Sequence, residues 1–529
     1  MSISHVVTLN GGVDLLLRLS ATITPVSMPP QPQAQPDARV HDTPITRFSA
    51  VAIFLFCALF AILLPWSIRG ARYAWIIAFC LWLADLIVER KRLRPQPLAL
   101  PLLAYIVLSG ISCALSYEPY LSWPHMKLVC WTALIATLFA QSLARLSQIR
   151  ALMLLLLLSA TAVAGFTAWQ YVRGIGLRVT DVVYLSPLHL AGLRPGDILV
   201  SVGGRSVRSQ EDLLHSATAV PGPTLVPVRF LRSFPVRRKE TFARAEDFLV
   251  GTAITPTLTL AKARPLRAQG TLGHPGRLAE LLAPVACLAW ALMLGSPPRH
   301  RPTQLVFAVM FLAITAVVFA TQSRAPLSGL LLGCAIALFL MAPQRMRLWL
   351  IAALVLFALG AGLWIQHTRG LKWVDLRDPG TQYRLAMWQD GTRLAMQHPF
   401  FGIGMESIQN RWPEWNLQGF ARFHQFWNFH SDMVQLAAER GLLALAAWLW
   451  FVAAYLTYLW RLLPRMRRRT RFGWAVATGI FTGCIAILVT SLVESSLGDD
   501  NLVLLLFFSV GVAIAMERML HERGAIDVQ

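Results

Sequence analysis

Charge is what this chain has least of. Charged residues are only 14% of its 529 positions, against 56% hydrophobic ones, with mean hydropathy +0.54. That excludes a soluble protein of this length, because too few polar groups remain to cover its surface. Acid is scarcer still: 27 Asp and Glu face 48 Lys and Arg, a formal charge of +21. Cysteine is absent from every polar stretch. Cys57, Cys80, Cys113, Cys130, Cys287, Cys334 and Cys484 all fall in apolar runs, which excludes a disulfide framework and a closely spaced metal-ligand pair and leaves them as packing residues. No HExxH occurs; the only His-Glu pair, His521-Glu522, is followed by Arg523-Gly524-Ala525, which removes that zinc-protease chemistry. The first 46 residues lack a charged segment leading into an apolar core and cleavage site. Met28-Pro29-Pro30-Gln31-Pro32-Gln33 reads as a flexible polar leader, so no cleaved signal peptide is expected.

What is there is a series of apolar runs of spanning length, near 48–66, 72–88, 98–116, 125–143, 151–171, 278–295, 304–321, 327–342, 348–365, 434–460, 473–493 and 501–517. They predict an all-α polytopic membrane protein with about 12 transmembrane helices. The cations lie mostly in short loops between runs, as in Arg90-Lys91-Arg92-Leu93-Arg94, Arg145 with Arg150, Arg299-His300-Arg301, Arg345-Met346-Arg347, Arg465 to Arg471, and Arg518 with Arg523. These loops alternate with loops poor in Lys and Arg, so the charge reads as orientation and not as a nucleic-acid surface. It places both termini in the cytoplasm and 172–277 and 366–433 on the other side, the periplasm of a bacterium. The domains expected are a leader (1–46), helices 1–5 (47–172), an insert (173–265), helices 6–9 (278–365), a periplasmic catalytic loop (366–433), helices 10–12 (434–517) and a cytoplasmic tail (518–529).

Residues 174 to about 262 change to alternating, strand-like runs punctuated by Gly and Pro, the mark of a small β-rich domain. Ser186-Pro187-Leu188-His189-Leu190-Ala191-Gly192-Leu193-Arg194-Pro195-Gly196-Asp197, then Val202-Gly203-Gly204-Arg205-Ser206-Val207 and a helix-like Gln210 to Thr218, resemble a PDZ domain. In that family a Φ-Gly-Φ loop caps a peptide C-terminus while the peptide adds as a strand, and Ile175-Gly176-Leu177 is similar to that loop. The resemblance implies a periplasmic peptide or protein partner; a spacer with an unused groove is the other reading.

From about Gln366 to Asn428 the chain forms a polar island rich in Arg, Trp and His, delivered onto the start of an apolar helix at His430. Arg324, in the short turn Thr321-Gln322-Ser323-Arg324-Ala325-Pro326, is either a fixed guanidinium suited to phosphate or an arginine snorkelling to lipid head groups. Arg384 and Trp388 share a helix face, Arg393 follows, and Pro399, Gly402 and Gly404 mark a turn. Two arginines at one membrane surface suit a diphosphate. His430 is the general-base candidate, since histidine changes charge near neutrality; His424 is the alternative base. Trp373, Trp388, Trp412, Trp415 and Trp427 suit either sugar stacking or interfacial anchoring.

The TQSRA turn, the R-x3-W…P-x2-G-x-G loop and the H-S-x3-Q-x3-E-x-G helix entry, in that order among about twelve spans, resemble the O-antigen ligase/polymerase superfamily. The resemblance implies a glycan donor on undecaprenyl diphosphate, presented on the periplasmic side of the inner membrane, and a lipid A-core or other glycan acceptor. It implies metal-independent transfer without a cofactor, and inversion by direct attack at the anomeric carbon. Carried onto this chain, it implies that Arg324 and Arg384 hold the diphosphate and that His430 assists deprotonation of the attacking hydroxyl. Trp388, Arg393 and Glu439 then support the site, with Glu439 orienting neighbours or pairing with Arg440. Two departures stand out: the PDZ-like insert, and Ser431 where many members carry Asn. The acceptor stays open among a ligase's lipid A-core, a growing polysaccharide and a protein. A transporter of lipid-linked sugars is the non-enzymatic alternative, weakened by the few midspan charges and the lack of an internal repeat.

Overall fold

The computed structural model describes residues 44–90, 93–174, 176–220, 224–232, 237–250, 253–263, 267–297, 299–369, 376, 378–419, 428–498 and 500–526. The chain divides into Met1–Arg47 and Phe48–Gln529, and the architecture below is that of the second unit.

Helices form at all twelve apolar runs: α1 (Pro44–Leu63), α2 (Ile68–Val88), α3 (Ala99–Ala114), α4 (Pro119–Ser142), α5 (Leu146–Arg173), and, beyond the insert, α7 (Pro275–Gly295), α8 (Arg301–Ala320), α9 (Arg324–Met341), α10 (Gln344–Arg369), α12 (Asp432–Arg469), α13 (Arg471–Ser491) and α14 (Asp500–Ile526). Among the described residues, nine are long and apolar enough to cross a membrane; α1 and α3 are shorter apolar helices, and α4 carries the polar start PYLSWPHMK. Helices α7, α13 and α14 bury over 70% of their apolar stretch inside the bundle, whereas α10 lies at its edge, touching it through Leu354 and through Phe357 and Trp364 on Phe319. Small residues permit this close packing: a Cβ on Gly329 of α9 would lie 2.5 Å from the Ala486 carbonyl of α13. The seven cysteines are free, five of them buried, in keeping with packing.

The insert is a separate small sheet with its own helix. Its strands are β1 (Gly176–Val182), β2 (Ile198–Val202), β3 (Arg205–Ser206), β4 (Leu225–Arg232), β5 (Arg237–Arg244), β6 (Leu249–Val250), β7 (Ala253–Ile254) and β8 (Leu258–Ala263), with α6 (Gln210–Thr218) between β3 and β4. The main sheet runs β5-β4-β2-β1-β8, with β3 paired to β2, and all described pairings are antiparallel. Alternating apolar residues, among them Leu177, Val179, Leu199, Val202, Val228 and Phe230, close a core separate from that of the bundle. Asp197, 1% exposed, accepts from Arg232 Nε (2.8 Å) and Nη2 (2.7 Å) and from the Arg194 amide (2.9 Å), which explains the Arg-Pro-Gly-Asp turn.

The polar island is more ordered than a loop. It contains α11 (Pro379–Gln397), entered by Asp378 and Pro379, followed by a turn at 398–407 and a short helical stretch to Trp415.

Candidate active site

The TQSRA turn starts α9. Thr321, Gln322 and Ser323 are buried, and Gln322 sits at φ +54. Arg324, the first helical residue, donates from Nη2 to Asp378 Oδ2 at 3.0 Å, so the start of α11 is tied to the start of α9. Asp378 also accepts from the Thr381 hydroxyl (3.2 Å), and its carboxylate does not cap its own helix. Six residues on, Arg384 donates from Nη2 to Glu494 Oε1 at 2.5 Å. Four further, Trp388 Nε1 donates to the His430 carbonyl at 3.1 Å. The R-x3-W spacing thus sets two side chains of one helix face against Glu494 and His430, which are themselves in contact.

His430 itself is held on every side. Its amide donates to Asn428 Oδ1 (2.9 Å), its ring meets Tyr383 edge-on with centroids 5.6 Å apart, and its backbone sits at φ +50, uncommon for a residue with a Cβ. Its Nδ1 lies 3.1 Å from Glu494 Oε2. With Glu494 ionised, the hydrogen bond places the ring proton on Nδ1 and leaves Nε2 as an acceptor, the form a general base needs. Burial pushes the Glu494 carboxyl up, but the His430 hydrogen bond and the charges of Arg384, His430 and His274 outweigh it and hold the group below the usual range. One carboxylate therefore joins Arg384 to His430.

The turn bearing Glu494 is fastened by Asp432, the first residue of α12, whose Oδ1 accepts from the Leu497 amide at 3.0 Å. Gln435 accepts from the Phe429 amide at 2.9 Å. Glu439 Oε1 accepts from the Glu406 amide at 3.1 Å, and Arg440 turns to the Tyr105 hydroxyl and ring. Gly441, at φ +82, kinks α12, and a Cβ there would meet the Phe400 carbonyl at 2.2 Å. That kink admits the P-x2-G-x-G loop: the Ile403 amide donates to the Ala438 carbonyl, the Gly404 amide to that of Glu439, and the Leu442 amide to that of Pro399. Ser112, at the end of α3, donates to the carbonyls of Phe401 (2.7 Å) and Glu439 (3.1 Å) from behind.

Arg393 donates to the carbonyls of Trp415 (2.7 Å) and Asn416 (2.5 Å), so it braces the loop and stands apart from the other two arginines. The Trp415 ring packs edge-on against Tyr117. His424, Trp373 and Trp427 lie outside the described residues. So does Ile175; Gly176 and Leu177 lie in β1, an internal strand paired with β2 on one side and β8 on the other. A Cβ on Gly176 would stand 2.1 Å from the Leu199 carbonyl, so this glycine serves strand packing and not an open carboxylate-binding loop. The likeness rested on residue types, and the strand pairing of Gly176 and Leu177 is not visible in their spacing.

Sequence reasoning missed Glu494, which stands just past the apolar run 473–493, although a carboxylate at a membrane boundary carries the same signal as Arg324. It also missed Arg267 and His274. Arg267 donates from Nε to the Thr321 carbonyl (2.6 Å) and from Nη2 to Ser323 Oγ (2.8 Å). His274 precedes α7, and partial burial, Arg277 and Arg267 pull its pKa down against the opposing charge of Glu494.

Residues 307–449 match the family model of the O-antigen ligase, and residues 178–232 match that of the PDZ domain. The chain thus carries an O-antigen ligase domain and a PDZ domain. The ligase match covers the TQSRA turn, α11, His430 and the kink of α12, but not Glu494 or the insert. No curated protein matches the chain. The family's general chemistry is glycosyl transfer of the O-antigen ligase/polymerase type, and the apolar helices make this a multi-pass membrane protein.

Proposed function

We propose that the chain transfers a glycan from undecaprenyl diphosphate to the lipid A-core oligosaccharide at the periplasmic face of the bacterial inner membrane, with both termini in the cytoplasm. The observation that carries this reading is the Arg384–Glu494–His430 relay beside the Arg324–Asp378 pair. Each arginine gives one Nη2 donor to a carboxylate, and Arg384 Nε is buried without a hydrogen-bond partner among the described residues, a donor suited to a diphosphate oxygen. Diphosphate departs readily once its charge is held, so the chemistry needs cations, positioning and a base. In this reading Nε2 of His430 takes the proton of the acceptor hydroxyl as its oxygen attacks the anomeric carbon. The bond to the diphosphate oxygen breaks, its electrons leave with the diphosphate, and the configuration inverts. Glu494 stabilises the imidazolium that forms. Held cations in these roles leave no step that calls for a metal ion.

The test is a lipopolysaccharide gel from a deletion strain complemented with wild type, His430→Ala or Arg324→Ala, with membrane levels matched. Bare core with accumulated undecaprenyl-linked polymer in the deletion and both variants supports a ligase. Core bearing a single repeat unit makes the protein a polymerase instead. Variants that behave as wild type remove the assignment of the site.

A further inference from the structure

We infer that Arg267, in the stretch that leaves the inserted module, is a positioning residue for the transfer reaction, acting through the turn that presents Arg324. This rests on the proposed transfer chemistry and adds to it a role for the stretch that follows the insert.

Three hydrogen bonds run in sequence between the exit stretch and the turn. The Ala268 amide donates to the Ala320 carbonyl at 3.0 Å, Arg267 Nε to the Thr321 carbonyl at 2.6 Å, and Arg267 Nη2 to Ser323 Oγ at 2.8 Å. The turn needs such fastening. Gln322 is a non-glycine residue at φ +54 and only 3% exposed, a backbone state that persists where surrounding contacts over-determine it. Ser323 occupies the capping position of α9, yet its hydroxyl makes no bond to its own helix and accepts from Arg267 instead. Arg267 therefore sets the entry into α9 one residue before Arg324, and with it the direction of the guanidinium paired with Asp378. Its charge also reaches His274, which feels Glu494 and His430 in turn.

The other end of the stretch is the insert. β8 pairs with β1 from Leu258↔Val182 to Ala263↔Gly176, and three residues separate Ala263 from Arg267. β1 in turn begins just after α5 ends at Arg173. Along the chain, the end of β8 is therefore only four positions from the guanidinium that fastens the TQSRA turn.

The experiment is transfer by the full-length protein reconstituted in vesicles, with the polyprenyl diphosphate-linked glycan titrated at saturating acceptor and the acceptor titrated at saturating donor, for wild type, Arg267→Gln, Arg267→Lys, Ser323→Ala, Arg267→Gln/Ser323→Ala and His430→Ala. Misplacement of a binding group by about 1 Å costs up to about 100-fold. Accordingly Arg267→Gln should lower donor kcat/KM by about 10- to 100-fold with acceptor KM unchanged, Arg267→Lys should recover part of it, and Ser323→Ala should lose less. The double variant should be no worse than Arg267→Gln, since both substitutions cut one link. Arg267→Gln within twofold of wild type, or effects of Arg267 and Ser323 that multiply, overturns the inference while inactive His430→Ala leaves the transfer reading standing. Wild-type rates for His430→Ala overturn the transfer reading itself. If Arg267→Gln fails to reach the membrane, Ser323→Ala decides: a silent substitution contradicts the role.

Discussion

The insert and the polar island are both polar stretches set between apolar helices, and they are held together in opposite ways. The insert closes on a core of its own, with Leu199, Val202 and Phe230 facing inward and Asp197 locked to Arg232. The island has only a small core, Met387, Leu394, Ile403, Ile408, Leu417 and Phe429, completed by Ala438 of α12, and its turns are stitched to helices by backbone hydrogen bonds. A module with its own core is portable; a segment whose core is finished by a membrane helix is shaped by that helix. The chemistry sits in the second kind, where each side chain is fixed from several elements at once.

The sharpest way to break this contrast is at the relay. His430→Ala should reduce transfer by about 100- to 10,000-fold, the range for loss of a general base, measured as glycan transferred by reconstituted protein, while the insert keeps its protease resistance. Next, Asp197→Ala leaves the Arg232 guanidinium without its buried partner and should cost the insert about 3–5 kcal/mol. Limited proteolysis should then cut within 176–263 first, with the bundle intact. Gly441→Ala should act the other way, placing a Cβ against the Phe400 carbonyl at φ +82, a strain of about 1–3 kcal/mol that loosens the island and spares the insert.

The smallest effect is on pH. Glu494 is held below the ordinary glutamate value of 4.5 and His274 below the ordinary histidine value of 6.5, so in both cases the unfolded chain binds more protons than the site does. The contribution of Glu494 is present above pH 4.5 and is lost as pH falls through its lowered native value. His274 adds a penalty as pH falls below 6.5. Hydrogen exchange around 428–435 should therefore quicken on acidification, first for His274 and then for Glu494, and His274→Gln should remove the earlier step.

The helices were legible because spanning length and apolarity are properties of contiguous residues, and all twelve runs became helices. The site was legible where one element carries the pattern. Arg384 and Trp388 face one way because they are four apart on α11. It was not legible where partners come from distant segments. Glu494 lies 64 residues beyond His430 and 110 beyond Arg384, and no periodicity links them. Arg267 reads as one more cation among 48 Lys and Arg until the fold sets it on Thr321 and Ser323. Gly176 shows the converse: a local motif kept its residue types while strand pairing on both sides gave it another task.

The most direct test of the central claim is transfer from a polyprenyl diphosphate-linked glycan to lipid A-core by the purified protein in vesicles containing chelator, comparing wild type with Glu494→Gln and His430→Ala. The account predicts that wild type forms product, that Glu494→Gln slows it by about tenfold or more because the ring loses its charged partner, and that His430→Ala loses it almost entirely. Product formation by His430→Ala at the wild-type rate, or movement of the lipid-linked glycan across the bilayer with no new glycosidic bond, would contradict it.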